Sequence, residues 1–336
     1  MLVGRAPLRI SFGGGGTDLE EYHNNYDGYT VSFTIKKYTW IVAKPRNDKL
    51  VQGFSPDFAS HLPPTKHTKL KGIQGHEIVI AGLKEMKFSD GADMYLCSDV
   101  ESNSGLGASS SLTSNLVNVI LKLQNKKWKK HEIAIKAYHI GHNILKWGIG
   151  KQDEFAAVFG GLNLFKYTKE GVMVKPIKLN QNTFQELQKK SMLFRIGNRK
   201  HSLNILQKQI KNMNNPKTNT LNALHDSKNL ALDVNDALKN NDLEKFSELL
   251  NRGWKIKKQF ASGVSNPRIE KIEKLALKHG AKSLKVTGAG GGGHMLVYAE
   301  PKKHKSIEDK LKKIGAERVD FTYENSGAKI FNITNL

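Results

Sequence analysis

Three glycine-rich segments, one near each end of the chain and one in its middle, carry the residue types that anion and polyol chemistry requires. The middle segment, SNSGLGASSS over residues 102–111, runs into Leu112, Leu116, Val119, Ile120 and Leu123, which repeat at helical spacing. Gly105 and Gly107 let backbone amides approach a ligand, and a helix beginning near Ser109 would direct its positive end at an anion. The serine hydroxyls suit a magnesium ion. Simple capping by Ser109 to Ser111 explains the same pattern, and no GxxxxGK[ST] lysine is present to make a Walker A loop.

The segment GRAPLRISFGGGGTD, residues 4–18, sets Arg5, Arg9, Ser11, Thr17 and Asp18 around a second glycine run that includes Gly15 and Gly16. Carboxylates and hydroxyls of this kind orient hydroxyl-rich ligands. A surface loop is the alternative. The third run, GAGGGG over residues 288–293, holds Gly290 and Gly291 between two strand-like stretches, where glycine brings one backbone against another or makes a wide hairpin turn. Asp153 in GIGKQDEF lies between a glycine turn and the apolar AAVFGGLNLF, as a shielded general base or a capping, salt-bridging residue would. Together the three runs suggest one polyphosphate and substrate cleft.

These residues need positioning. LVGRAPLRISF and YTVSFTIKKYTWIVA read as strands, rich in β-branched and aromatic residues. An amphipathic helix is expected from about Glu132 to Lys146, with Ile133, Ala137, Ile140 and Ile144 on one face. Lysine-rich helices follow residue 181, among them DSKNLALDVNDALKN and NPRIEKIEKLALKHG, the latter with Asn266 as N-cap, Pro267 at N1 and Gly280 beyond its end. The last stretch reads strand, glycine turn, strand, helix, strand, a split βαβ layout. A domain boundary near residue 180 follows, giving domains 1–180 and 181–336.

Composition supports a globular enzyme. The 336 residues are 38% hydrophobic and 25% charged, enough for about two domains. No apolar run approaches the roughly 20 residues of a membrane span, and MLVGRAPLRISF lacks a signal-peptide core, so a cytoplasmic location is expected. The single cysteine, Cys97, excludes an internal disulfide and reads as buried filler. The net charge of +22 is spread over separate segments such as NKKWKKHE and PKKHKSIEDKLKK and is not gathered in one basic cluster, which argues against a nucleic-acid binder and is compatible with phosphorylated substrates.

RAPLRISFGGGGTDL, SNSGLGASSS and KVTGAGGGGHML, in this order, resemble the three signature motifs of the galactokinase, homoserine kinase, mevalonate kinase and phosphomevalonate kinase (GHMP) superfamily, and the resemblance covers essentially the whole chain. GGGGTDL and GIGKQDEFAAVFGGLNLF most resemble its D-glycero-D-manno-heptose 7-phosphate kinases. The resemblance implies an α+β two-domain fold. Its N-terminal domain would be of the ribosomal-protein S5 second-domain type and its C-terminal domain ferredoxin-like, with the site between them. It implies transfer of a phosphoryl group from ATP, with Mg2+, to the anomeric hydroxyl of the heptose 7-phosphate, for nucleotide-activated heptose and surface polysaccharide.

By matching position, Asp153 is the base and Arg9 stabilises the transferring phosphoryl group. Ser104, Gly105, Leu106, Gly107, Ala108, Ser109 and Ser110 form the ATP phosphate loop, with Ser109 the magnesium ligand. Arg5, Ser11, Gly15, Gly16, Thr17, Asp18, Lys151, Gly290 and Gly291 are the substrate-binding candidates, and Arg199 is the candidate grip on the 7-phosphate. One departure stands out: Gly141 occupies the place of the family's usual magnesium-binding glutamate, with His142 or Glu154 as substitutes. The partners implied are a sugar phosphate and ATP, with a homodimer possible and neither nucleic acid nor membrane. Two other readings are a sugar 1-kinase of the fucokinase or galactokinase type and a catalytically impaired sugar or nucleotide sensor.

Overall fold

β-Branched and aromatic residues crowd the start of the chain, and the backbone there is drawn into long strands. The computed structural model describes residues 1–197, 202–215 and 217–333. It opens with β1 (Leu2–Gly13), α1 (Glu20–Tyr26), β2 (Gly28–Arg46), β3 (Leu50–Ser55) and β4 (Ser60–Lys66). After α2 (Glu77–Glu85) and β5 (Gly91–Ser98) come the helices α3 (Ala108–Leu123), α4 (Lys130–His139) and α5 (Gln152–Phe159), then β6 (Leu162–Tyr167) and β7 (Val172–Pro176). The remainder is α6 (Gln181–Lys190), β8 (Ser191–Gly197), α7 (Ser202–Met213), α8 (Thr220–Lys239), α9 (Leu243–Lys257) and α10 (Pro267–Lys278). It closes with β9 (Ala281–Val286), β10 (Gly293–Ala299), α11 (Pro301–Lys312), β11 (Glu317–Val319) and β12 (Lys329–Asn332).

Two sheets result. The first runs β12-β1-β2-β5-β3-β4, with β6 paired to β2 and β7 to β6. The second runs β11-β8-β10-β9 and is antiparallel throughout. The final strand returns to β1, pairing Leu2 with Asn332.

Apolar residues of α3 pack under the first sheet: Leu116, Val117 and Ile120 meet Ile41, Ala43 and Leu96, with Phe155 of α5 alongside. A second core joins Leu8, Ile10 and Phe12 of β1 to Leu230 and Val234 of α8, Trp254 of α9 and Met295 of β10. Each fully buried side chain of this kind contributes about 1.5–3 kcal/mol. Because β1 packs against α3 and α5 as well as α8 and α9, the strand carrying Arg9 is held by helices of both cores.

The caps expected for α10 form: Asn266 Oδ1 accepts from Ile269 N at 3.0 Å, and Gly280 has φ +105° beyond the helix. The helix expected to reach Lys146 instead ends at His139, and Ile140–Ile144 forms one wider π turn. Gly141 is its weak point, lacking side-chain restraint and admitting Ile149, whose Cδ1 would lie 2.9 Å from a Cβ there. Cys97, read from the sequence as buried, is half-exposed on β5. No helix among the described residues is long and apolar enough to cross a membrane.

Candidate active site

Arg9 is buried near the middle of β1, and each of its three guanidinium nitrogens makes one hydrogen bond. Nε donates to Asp153 Oδ1 at 2.7 Å and Nη2 to Oδ2 at 2.6 Å, while Nη1 donates to Gly105 O at 2.8 Å. The Arg9 backbone N–H also donates to Leu106 O at 3.0 Å. One side chain thus ties the first turn of α5 to the loop that opens α3. Gly107, with φ +80°, comes so close to Asp153 that a Cβ would lie 3.2 Å from Oδ2.

The glycine run after β1 turns the chain beneath this pair. Thr17 Oγ1 lies 2.8 Å from Gly14 O and 2.9 Å from Tyr29 O, and accepts from Tyr29 N at 3.0 Å. Its hydroxyl therefore locks the loop and does not line the cavity. Asp18 accepts from Gly16 N at 2.9 Å and Gln152 N at 3.2 Å. Burial raises the Asp18 carboxyl above its ordinary range, the Asp153 charge adds to this, and the two amides oppose it. Gln152 Nε2 donates to Ser11 Oγ at 3.0 Å, so the residue beside Asp153 orients both polar groups of the loop.

The third glycine run supports the phosphate loop from behind. A Cβ on Gly105 would lie 2.8 Å from Thr287 O, and one on Gly293 would lie 2.4 Å from Ser104 O. Lys257 Nζ donates to Gly288 O. Lys285, fully buried, donates to Ser11 O and Phe12 O at 3.0 Å each. Burial holds its ammonium well below the usual lysine range, and the charges of Lys257 and Arg9 act in the same direction.

These elements enclose a cavity of about 510 Å³. Its wall includes Arg9, Ser11, Gly15, Gly16, Asp18 and Asp153, together with Ser104, Gly105, Gly107, Ala108, Ser109 and Ser110 of the phosphate loop. Leu106 lies behind that wall, fully buried in the core. Other residues expected at the site are elsewhere. Arg5 lies against aromatic rings, 4.3 Å from the Tyr38 centroid and 5.4 Å from that of Phe331, an arrangement favourable for a guanidinium that also keeps it out of the cavity. Lys151 pairs with Glu20 at 3.2 Å, and Gly290 and Gly291 pack on Val264, Gly291 N donating to Val264 O at 2.9 Å. Arg199 lies outside the described residues. Gln152, Gln209, Lys257 and Trp147 line the cavity without having been singled out in the sequence, although Gln152 was marked by its place beside Asp153.

For a divalent cation, the described residues hold no group of three or more His, Cys, Asp or Glu side chains. The exposed Ser109 hydroxyl and Ser110 suit a cation carried mainly by phosphates. Glu154 is buried behind Asp153, where burial first and the Asp153 charge second push its carboxyl up to about 8, with Ser110 opposing the shift.

Residues 76–161 match the GHMP kinases N-terminal domain, and residues 234–317 match the GHMP kinases C-terminal domain. A D-glycero-alpha-D-manno-heptose 7-phosphate kinase from Campylobacter jejuni is 30% identical, over 98% of each chain. An L-fucokinase/L-fucose-1-P guanylyltransferase from Bacteroides fragilis is 27% identical over 88% of this chain and 34% of that one. The fold is shared with a D-glycero-D-manno-heptose 1-phosphate kinase from Bacteriodes thetaiotaomicron at 22% identity, full coverage of both chains and a TM-score of 0.82. With both family domains matched and a relative aligned almost end to end, the chain belongs to the GHMP kinases, among the sugar kinases that take ATP as phosphate donor.

Proposed function

We propose that the chain transfers the γ-phosphoryl group of ATP to the anomeric C1 hydroxyl of D-glycero-D-manno-heptose 7-phosphate, giving the 1,7-bisphosphate. The observation that carries the chemistry is the Arg9–Asp153 pair bonded to Gly105 of the phosphate loop. The substrate is supported by the Campylobacter jejuni relative and, for an anionic sugar, by the net charge of +22.

In this reading the Asp153 carboxylate accepts the proton as the sugar O–H bond breaks and the new O–P bond forms, and ADP departs. Arg9 holds Asp153 in place and offsets charge on the transferring group. Amides at the start of α3 face the phosphates. Asp18 and Ser11 orient sugar hydroxyls. Magnesium, when bound, would neutralise phosphate charge, with Ser109 and Ser110 as its protein ligands. Arg199 and Lys257 are the proposed cations for the sugar phosphate. The two domains divide near residue 180, β12 excepted, and the enzyme acts in the cytoplasm.

The test is ATP consumption with magnesium and heptose 7-phosphate, unphosphorylated heptose, fucose, galactose or no sugar, alongside Asp153→Asn. Turnover confined to the 7-phosphate and lost in the variant is expected. Preference for another sugar would overturn the substrate. Gly141 favours a second reading, a sensor that binds without turnover, because it presents no metal-binding side chain. If no sugar is turned over, restored activity in Gly141→Glu would locate the defect at the metal, and ATP binding with continued silence would support the sensor.

A further inference from the structure

On α7, Ile205 and Met213 are buried in the core four residues on either side of Gln209, so Gln209 occupies an apolar stripe where a leucine would be expected. Gln209 is itself only 4% exposed. Its Nε2 has no hydrogen-bond partner among the described residues. A buried amide donor left unpaired is costly and rare in a folded chain. The residue lines the cavity together with Gly16, Leu206 and Phe260, its Nε2 lying buried against Gly16.

The glycine run accommodates it. Gly16 has φ +94°, and a Cβ there would lie 2.6 Å from Gln209 Nε2 and 3.0 Å from Leu224 Cδ2. The last glycine of GGGG therefore makes room for the amide as well as for the turn. Two residues on, Asp18 brings carboxylate acceptors to the same wall. The loop end of the cavity thus combines acceptors with one unsatisfied donor, as recognition of an oxygen-rich ligand requires.

We infer that Gln209 is a specificity-determining residue whose Nε2 donates a hydrogen bond to an oxygen of the acceptor sugar, either a hydroxyl or a phosphate oxygen. This rests on the sugar-kinase reading of the same cavity. It does not depend on which sugar is the substrate.

The test compares wild type with Gln209→Leu and Gln209→Glu, using whichever sugars the wild type accepts, each with and without its phosphate. Gln209→Leu should raise the sugar KM about tenfold, as loss of one ligand hydrogen bond does. It should leave the ATP KM within twofold and kcat within threefold. Its Tm should not fall, because leucine suits the neighbours Leu206, Leu224 and Phe260. A KM effect confined to the phosphorylated sugar would assign the phosphate oxygen, and an equal effect on both would assign a hydroxyl; either supports the inference. Gln209→Glu, which also adds negative charge, should weaken phosphorylated sugars more than Gln209→Leu does. A sugar KM within twofold of wild type in Gln209→Leu, or a lowered Tm with unchanged KM, would overturn the inference. Wild-type preference for fucose would sink the heptose reading while leaving Gln209 to be measured on fucose. If no sugar is turned over, the rise in Tm on adding each sugar replaces KM, and a wild type that no sugar stabilises overturns both.

Discussion

Arg9 and Asp153 meet through two parallel hydrogen bonds of 2.7 and 2.6 Å, joining residues 144 positions apart. A bidentate guanidinium–carboxylate pair fixes orientation as well as charge. Asp153→Asn keeps the shape and removes the proton acceptor, so kcat should fall about 100- to 10,000-fold with the ATP dissociation constant nearly unchanged. Arg9→Lys cannot reproduce the fork, and kcat should fall about tenfold or more. Steady-state kinetics with nucleotide titration checks both; an Asp153→Asn enzyme with wild-type kcat would remove Asp153 from the chemistry.

Gly107→Ala should impair catalysis and stability together. The residue has φ +80°, and the added methyl would stand 3.2 Å from Asp153 Oδ2. The left-handed conformation alone costs about 1–2 kcal/mol. A lower urea midpoint and a reduced kcat are expected, and a variant with neither would show that the loop relaxes freely.

The pH dependence of stability should carry the mark of Glu154. Its folded-state carboxyl is pushed up to about 8 from an ordinary 4.5, so the folded chain binds this proton more tightly than the unfolded chain. The stabilisation is complete below about pH 4.5 and is lost as the pH rises through about 8. Glu154→Gln stays neutral, and its Tm should decline less than that of wild type between pH 5 and about 9. Parallel Tm curves for the two proteins would contradict the burial argument.

Lys285→Met should destabilise the join between β1 and β9. It removes the buried donor from Ser11 O and Phe12 O, each bonded at 3.0 Å. Leaving buried acceptors unpaired costs about 1–3 kcal/mol. Chemical denaturation measures this, and weaker sugar binding should accompany it because Ser11 lies on the cavity wall. Unchanged stability would mean that the two carbonyls find other partners.

Much of the framework was legible because its signals are local. The glycine runs, the start of α3 and the caps of α10 depend on backbone angles and hydrogen bonds within a few residues. The short α1 was missed, as its seven residues, EEYHNNY, carry no helical apolar repeat. The early end of α4 depends on Ile149 packing against Gly141, a contact with no local signature.

By itself the sequence determined the family motifs, the phosphate loop and the candidacy of Arg9, Asp18 and Asp153, since residue type and spacing specify these. Tertiary structure alone decided which polar residues face the cavity. Arg5 and Arg9 look equivalent on one strand, yet one lies on the Tyr38 ring and the other grips Asp153. Thr17 turns inward to the loop, Lys151 is drawn to Glu20, and Gln209 and Lys257 reach the wall from helices whose sequences look solvated. The physical reason is that burial and hydrogen-bond partners are set by chain segments far apart in sequence, so a side chain's chemistry is readable locally but its direction is not.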